Sequence, residues 1–323
     1  MKVLIVKTSS MGDVVHALPA ASDLLRHVAG VQIDWLVEAP FAAIPQLHPG
    51  IRRVLPMAWR KWRKTLLEKK TREAISALRA DLKREPYDLV LDLQGLLKSA
   101  LWARQAIGPL AGYDADSARE PLAAWFYARK AAVPRDLQAV ERNRRLAAAH
   151  LGYAMPASAP DFGLAPPQPV WQPKVPYAVI IPNASRKEKL WPERRWIAVG
   201  QRLKDKGWLP VVLWGSDSEQ TLAERIAAGC EGDVPRFLKV GDVAGLLAGA
   251  GQVVGLDTGF THLAAALGRP TLGIYCDHEP GLAGITGRGS VASIGGKGQV
   301  PGQNEVLDLL EQQVYSSSTR SGG

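Results

Sequence analysis

The start of this chain constrains its fold more than any other segment. Val3-Leu4-Ile5-Val6 is an apolar, β-branched run. Lys7-Thr8-Ser9-Ser10-Met11-Gly12 is a short polar loop with a glycine, and Val14, Val15, Leu18, Ala21, Leu24 and Leu25 then recur at helical spacing. The run reads as a buried parallel strand and the spacing as a helix. Strand, glycine loop and helix open a βαβ unit, and open α/β sheets bind ligands at the carboxyl ends of their strands. Asp13 opens the helical pattern and is delivered to that place. From this segment alone Asp13 is either a helix N-cap or a carboxylate that does chemistry. Pro19 suits a first turn that is irregular or restarted. The loop is neither GxGxxG nor a P-loop, so neither dinucleotide nor Walker-type binding follows from it.

The alternation continues along the chain. Runs at 3–6, 33–37, 89–93, 178–181, 210–214, 252–256 and 271–275 read as strands, with helical patterns near 14–28, 66–85, 95–107, 193–206, 219–229 and 261–267. Alternating strands and helices give an α/β class with parallel sheets. Seven prolines between Pro156 and Pro176 deny that stretch a helix or a central strand, so it reads as a linker. The expected division is one domain over 1–160, a proline-rich linker over 161–176, a second domain over 177–315 and a disordered tail over 316–323.

The 40 Lys and Arg exceed the 31 Asp and Glu, a net charge of +9. That balance predicts an anionic partner without choosing among nucleic acid, an anionic membrane surface and a phosphorylated small molecule. Cys230 and Cys276 lie far apart without CxxC spacing, which excludes a disulfide framework and suits a reducing compartment. The histidines at 16, 27, 48, 150, 262 and 278 have no metal-ligand spacing, so no metal and no cofactor is expected. No GxSxG nucleophile elbow is present. The apolar start is too short for a signal sequence, and no run approaches the ~20 apolar residues of a membrane span, so a cytoplasmic location is expected.

Three further segments are candidates for chemistry. Near Asp257-Thr258-Gly259 a strand gives way to a helix carrying His262. A helix start beside a glycine offers free N–H groups to an anion, with phosphate the usual guest; the plainer reading is a turn capped by Asp257 and Thr258. The loop at 183–191 follows another strand, and its Ser185 and Lys189 suit a diphosphate, although a solvated basic loop fits equally well. Trp59-Arg60-Lys61-Trp62-Arg63-Lys64 interleaves aromatic rings with cations, as for a polyanion or anionic lipid headgroups. The alternative there is an amphipathic helix start with snorkelling cations. Arg119 is one more cation in the first half, with a surface pair to Glu120 or Asp116 as its plain reading.

Together these segments resemble the bacterial lipopolysaccharide heptosyltransferases. The strings are VLIVKTSSMGDVVHALPA at 3–20, WRKWRK at 59–64, DLQGLLKSA at 92–100, SAREPLA at 117–123, AVERNR at 139–144, KLWPE at 189–193 and VVGLDTGFTHLAAALGRP at 253–270. The resemblance omits only the proline stretch and the tail, and its KTSSMGD form points to the family members that add the first inner-core heptose. It implies a GT-B architecture of two facing Rossmann-like domains with a central cleft. The implied donor is ADP-L-glycero-D-manno-heptose and the implied acceptor is the Kdo of lipid A–Kdo, with inversion and no required metal. The implied location is the cytoplasmic face of the inner membrane of a Gram-negative cell. The family's base falls on Asp13. Its donor contacts fall on Ser185, Lys189, Glu219, Asp257, Thr258, Gly259 and His262. Its acceptor contacts fall on Ser10, Arg60, Arg63, Lys64 and Arg119. Two positions depart from the pattern: Gln138 stands where relatives often have histidine, and Ala184 where they often have threonine.

The residues fit such a reaction. A base on the face opposite the leaving diphosphate removes the acceptor proton as an oxocarbenium-like centre is attacked. Lys189 and the amides near Gly259 meet the diphosphate charge. The rival readings are a nucleic-acid binder, a GT-B sugar-nucleotide epimerase, and a related heptosyltransferase with a different core acceptor. The resemblance favours ADP-heptose and a lipid acceptor over nucleic acid.

Overall fold

The structure is a computed structural model that describes residues 1–318, with side chains described through residue 313. The chain divides into two compact units, residues 1–165 and residue 166 onward.

The first unit holds strands β1 (Lys2–Val6), β2 (Gln32–Glu38), β3 (Ile51–Met57), β4 (Leu89–Asp92), β5 (Leu110–Tyr113) and β6 (Arg129–Ala131). They form one parallel sheet in the order β3-β2-β1-β4-β5-β6. Val3 to Val6 are all fully buried, as an apolar run covered on both faces requires. The chain runs outward from β1 through β2 to β3, then returns to β4 on the other side of β1. That reversal is a topological switch point, where open α/β sheets bind ligands.

The second unit repeats the plan with β7 (Tyr177–Ile181), β8 (Leu209–Val212), β9 (Gln252–Leu256), β10 (Thr271–Tyr275) and β11 (Val291–Gly295). This sheet is also parallel, in the order β11-β10-β9-β7-β8, with its switch point between β7 and β9. Its core gathers Trp191, Trp196, Val212, Val254 and Ile274 under the helix Glu193–Asp205.

Several local expectations are corrected. The first helix begins at Met11 with Ser10 as its N-cap, so Asp13 is its third residue and not its cap. Pro19 lies inside that unbroken helix, Met11–His27, and neither restarts nor distorts its first turn. The first helix and the helix Ala139–Leu151 pack on each other, and such packing tolerates a proline that forfeits one helical hydrogen bond. Strand β3 escapes the apolar pattern because Arg52, Arg53 and Pro56 interrupt it; it is an edge strand, where a proline costs no ladder bond. Of the edge strands, β6 is too short and too exposed to announce itself, and β11 is only partly buried. Helices Ala139–Leu151, Val240–Gly249 and Gln303–Ser318 were likewise not expected. The proline stretch is not uniformly free of the first unit. Arg26 pairs with Asp161 at 3.2 Å, Phe162 is buried, and the Ala165 N–H donates to the Leu47 carbonyl at 2.8 Å. The tail expected over 316–323 overlaps the last helix through Ser318; residues 319–323 lie outside the described residues.

Candidate active site

At the first switch point the loops after β1 and β4 are bound together. Gln94 follows β4, and its buried Oε1 accepts the Thr8 and Ser9 N–H groups at 3.0 and 3.2 Å. Lys7 Nζ donates to the Leu93 carbonyl at 2.8 Å and to Asn143 Oδ1 at 3.3 Å. Lys98 Nζ donates to Ser9 Oγ at 3.2 Å. This frame sets the start of the helix Met11–His27, and with it Asp13.

The Asp13 carboxylate accepts the Ser10 N–H at 2.8 Å and the Ser10 Oγ–H at 3.0 Å on Oδ2. Arg119 Nη1 donates to Oδ1 at 3.3 Å. Arg119 therefore pairs with Asp13, while Glu120 accepts the Leu97 N–H at 2.6 Å instead. Burial raises the Asp13 carboxyl, but the Lys7 ammonium, the Arg119 guanidinium and the Ser10 N–H outweigh it, and the net shift is downward. Burial pushes Lys7 down to about 8 against the opposing pull of Asp13. The result is an ionised carboxylate at a strand end, able to accept a proton.

Ser10, Asp13 and Arg119 thus meet at one place. Arg60 lies on the short helix Trp59–Trp62, with its guanidinium 5.7 Å from the Phe41 ring centroid; Arg63 and Lys64 follow it and are exposed. The buried Glu38 at the end of β2 lies near this basic turn: burial raises its carboxyl, and the Lys98 and Arg60 charges with the Arg60 and Trp59 N–H groups oppose that rise.

At the second switch point Lys189 Nζ lies 2.5 Å from Asp257 Oδ2 and 3.4 Å from the Asp257 carbonyl. The buried His262 Nε2 lies 3.1 Å from Asp257 Oδ1. Burial raises the Asp257 carboxyl, yet the His262 ring and the Lys189 ammonium hold it far below the usual carboxylate range. Thr258 caps the helix Gly259–Ala266, and the Thr261 and His262 N–H groups return to its carbonyl. Lys189 therefore shares its charge with Asp257.

A neighbouring pocket of about 200 Å³ is lined by Asn183, Ser185, Trp214, Glu219, Thr258 and Phe260, among others. Glu219 accepts the Gly215 N–H at 2.8 Å, and Trp214 is fixed by its Nε1 donating to the Pro235 carbonyl at 2.7 Å. Ser185, Glu219 and Thr258 thus share one cavity, while Lys189, Asp257 and His262 form a charged cluster joined to it through the Asp257-Thr258 peptide. A helix start and an ammonium beside an aromatic-walled pocket can hold an anion carrying a flat ring. Among the described residues, no three His, Cys, Asp or Glu side chains group to hold a metal ion.

A model of glycosyltransferase family 9, the heptosyltransferases, matches residues 75–303. The chain belongs to this family. Lipopolysaccharide heptosyltransferase 1 of Pseudomonas aeruginosa is 45% identical over 296 residues, covering 90% of this chain and 83% of that protein. The solved structure of E. coli heptosyltransferase WaaC with ADP is 39% identical and matches with a TM-score of 0.89 over 97% of this chain and 100% of its own. The same enzyme with ADP-2-deoxy-2-fluoro heptose is 38% identical and matches with a TM-score of 0.87 over 97% of this chain and 99% of its own.

The two departures from the family pattern have local structural roles. Gln138 caps the helix Ala139–Leu151, its Oε1 accepting the Val140 N–H at 2.8 Å. Ala184 packs against the second unit's core. Lys7, Gln94 and Asn143 were missed as parts of the site, although all three lie inside the matching strings. Trp214 and Phe260 were missed as pocket walls because nothing local distinguishes them from core aromatics.

Proposed function

We propose that the protein transfers L-glycero-D-manno-heptose from ADP-heptose to a Kdo hydroxyl of lipid A–Kdo, with inversion, in assembly of the lipopolysaccharide inner core. The observation that carries this reading is Asp13, a carboxylate kept ionised at a sheet switch point by Ser10, Arg119 and Lys7. In the reaction Asp13 takes the proton of the acceptor hydroxyl as its oxygen attacks the anomeric carbon, and the bond to the ADP β-phosphate breaks on the opposite face. Arg119 holds the carboxylate in place. Lys189 and the amides at the start of the helix Gly259–Ala266 receive the charge that grows on the diphosphate. Trp214 and Phe260 suit the adenine ring, and Glu219 and Ser185 its polar surroundings. His262 keeps Asp257 ionised and so holds Lys189 in register.

The acceptor is anionic and membrane-borne, which suits Arg60, Arg63 and Lys64 in the first unit and the chain's excess of cations. No helix among the described residues is long and apolar enough to cross a membrane, and we place the enzyme on the cytoplasmic face of the inner membrane. The test is ADP release from ADP-heptose in the presence and absence of lipid A–Kdo. Acceptor-dependent release is expected. Asp13→Ala should lower turnover by ~10²–10⁴ with ADP affinity nearly kept, because a base acts only as the proton moves. Asp13→Asn, which keeps the shape and loses the charge, should behave likewise; near-normal turnover in that variant would remove Asp13 from the role.

A further inference from the structure

The loop after β7 carries two cations held by carboxylates, and the transfer reaction proposed above uses only one of them. Arg186 opens the short helical turn Lys187–Lys189, and the Lys189 N–H donates to its carbonyl at 3.2 Å. Lys189 pairs with Asp257 at the end of β9, while Arg186 Nη2 lies 3.0 Å from Asp277 Oδ2 in the loop after β10. In this sheet β9 stands between β7 and β10. The Arg186–Asp277 pair therefore spans the carboxyl end of β9, beside the start of the helix Gly259–Ala266. The ring-binding pocket lies on the β8 side of that helix start. Its walls include Asn183 and Ser185 after β7, Trp214 after β8, and Thr258 and Phe260. A diphosphate leaving a ring seated there and following the strand ends past the helix start runs toward Asp277.

The two ion pairs differ in how firmly they are held. The Lys189 and Asp257 side chains are 16% and 10% exposed, whereas those of Arg186 and Asp277 are 53% and 29% exposed. A pair so open to water contributes little and is readily exchanged. A guanidinium offers a phosphate two parallel N–H groups, and a terminal phosphate carries more charge than one carboxylate. We propose that Arg186 is a second diphosphate-binding residue: it leaves Asp277 for the outer phosphate of the donor, and Asp277 competes with that phosphate for it. The inference rests on the donor reading above. When the bond from the anomeric carbon to the phosphate oxygen breaks, its electron pair passes to that oxygen, so Arg186 meets the charge where it grows. After transfer, Asp277 draws Arg186 back and weakens the hold on ADP.

The experiment is calorimetric titration of the full-length protein with ADP and with AMP, which lacks the outer phosphate. Arg186→Ala should weaken ADP binding by roughly 10-fold, the scale of one charge-assisted contact, and AMP binding by less than about twofold. Arg186→Lys, which keeps the charge, should recover part of the loss. Asp277→Asn should act in the opposite direction. It frees Arg186 and should tighten ADP binding by about two- to fivefold, the worth of an exposed ion pair. The double variant should bind ADP no more tightly than Arg186→Ala alone, because Asp277 acts only through Arg186. Three outcomes overturn the proposal: unchanged ADP affinity in Arg186→Ala; equal losses for ADP and AMP in that variant, which would make Arg186 a support of the turn; and weaker ADP binding in Asp277→Asn, which would make the pair a fastening of the loop. If the wild-type protein binds neither nucleotide, the donor reading falls and takes this inference with it. Wild-type binding together with any of the three outcomes overturns the inference alone.

Discussion

Asp13 and Lys7 illustrate how a site is tuned by single residues. Burial raises one carboxyl and lowers one ammonium, and the attraction between the two charges works against both changes. For Lys7 the sign of the stability effect follows directly. Its folded value is about 8 and its ordinary value 10.5, so between these the unfolded chain binds a proton that the folded chain lacks. Stability from this group therefore rises with pH across that window. Urea unfolding at pH 7 to 10 should show this rise in the wild type and lack it in Lys7→Met. The same substitution removes a cation that keeps Asp13 ionised, so the acid limb of kcat/KM should move to higher pH; an unmoved limb would show that Lys7 does not act on Asp13. For Asp13 the slope has the same sign, in a lower pH window. Its depressed carboxyl contributes stability above about pH 4, the usual carboxylate value, and loses it as pH falls through the folded value.

At the scale of elements, the second switch point depends on a close fit between β9 and the helix Gly259–Ala266. A Cβ at Gly255 would meet Thr261 Oγ1 at 2.3 Å and the Ile181 Cβ at 2.9 Å. Thr261 Oγ1 donates to the Leu256 carbonyl at 2.7 Å, so displacing it moves the helix that carries His262. Gly255→Ala should cost roughly 1–3 kcal/mol of stability, as overpacking does, and raise the dissociation constant for ADP. Urea titration and calorimetry measure the two effects. Lys189→Ala acts on the same element pair with a different signature. On the proposed function it would remove a charge-assisted contact to the diphosphate, and it takes the Lys189 partner from Asp257, so ADP affinity should fall by roughly 10–100-fold. Unchanged ADP affinity by calorimetry would take Lys189 out of the donor site.

Across the whole molecule the net charge is +9, and on the proposed function it would act on anionic partners at a distance and the cations at 59–64 at contact. Substituting Arg60, Arg63 and Lys64 together by alanine should raise the apparent KM for acceptor and leave ADP affinity alone. The difference should shrink in high salt, because exposed charges are screened beyond ~8–10 Å at physiological ionic strength. Steady-state kinetics at two salt concentrations tests this. If the triple variant loses ADP binding and keeps its acceptor KM, the cluster belongs to the donor side.

The α/β class was legible because a parallel strand buried on both faces reads as a largely apolar run, as β1, β4, β7, β9 and β10 do and as β2 does apart from the buried, ion-paired Asp34. The ends of β1, β7 and β9 carry polar loops with glycine, serine or lysine, and these directed attention to Asp13, Lys189 and Asp257 before any geometry was known. Three of the four edge strands were lost because residues of theirs face solvent: β3 holds two arginines and a proline, β6 is only Arg129–Ala131, and β11 is only partly buried, whereas the buried edge strand β8 was expected. Tertiary structure alone decided which charges meet. Arg119 lies over one hundred residues from Asp13 in sequence, next to Glu120, yet bonds Asp13. Lys189 shares its charge with Asp257 across 68 positions. Local pattern reports which side chains are buried and at what period, because burial acts on each segment separately. Ion pairs, the Gln94 bridge between two loops and the walls of the pocket depend on strand order, and strand order is set by how whole helices and sheets pack.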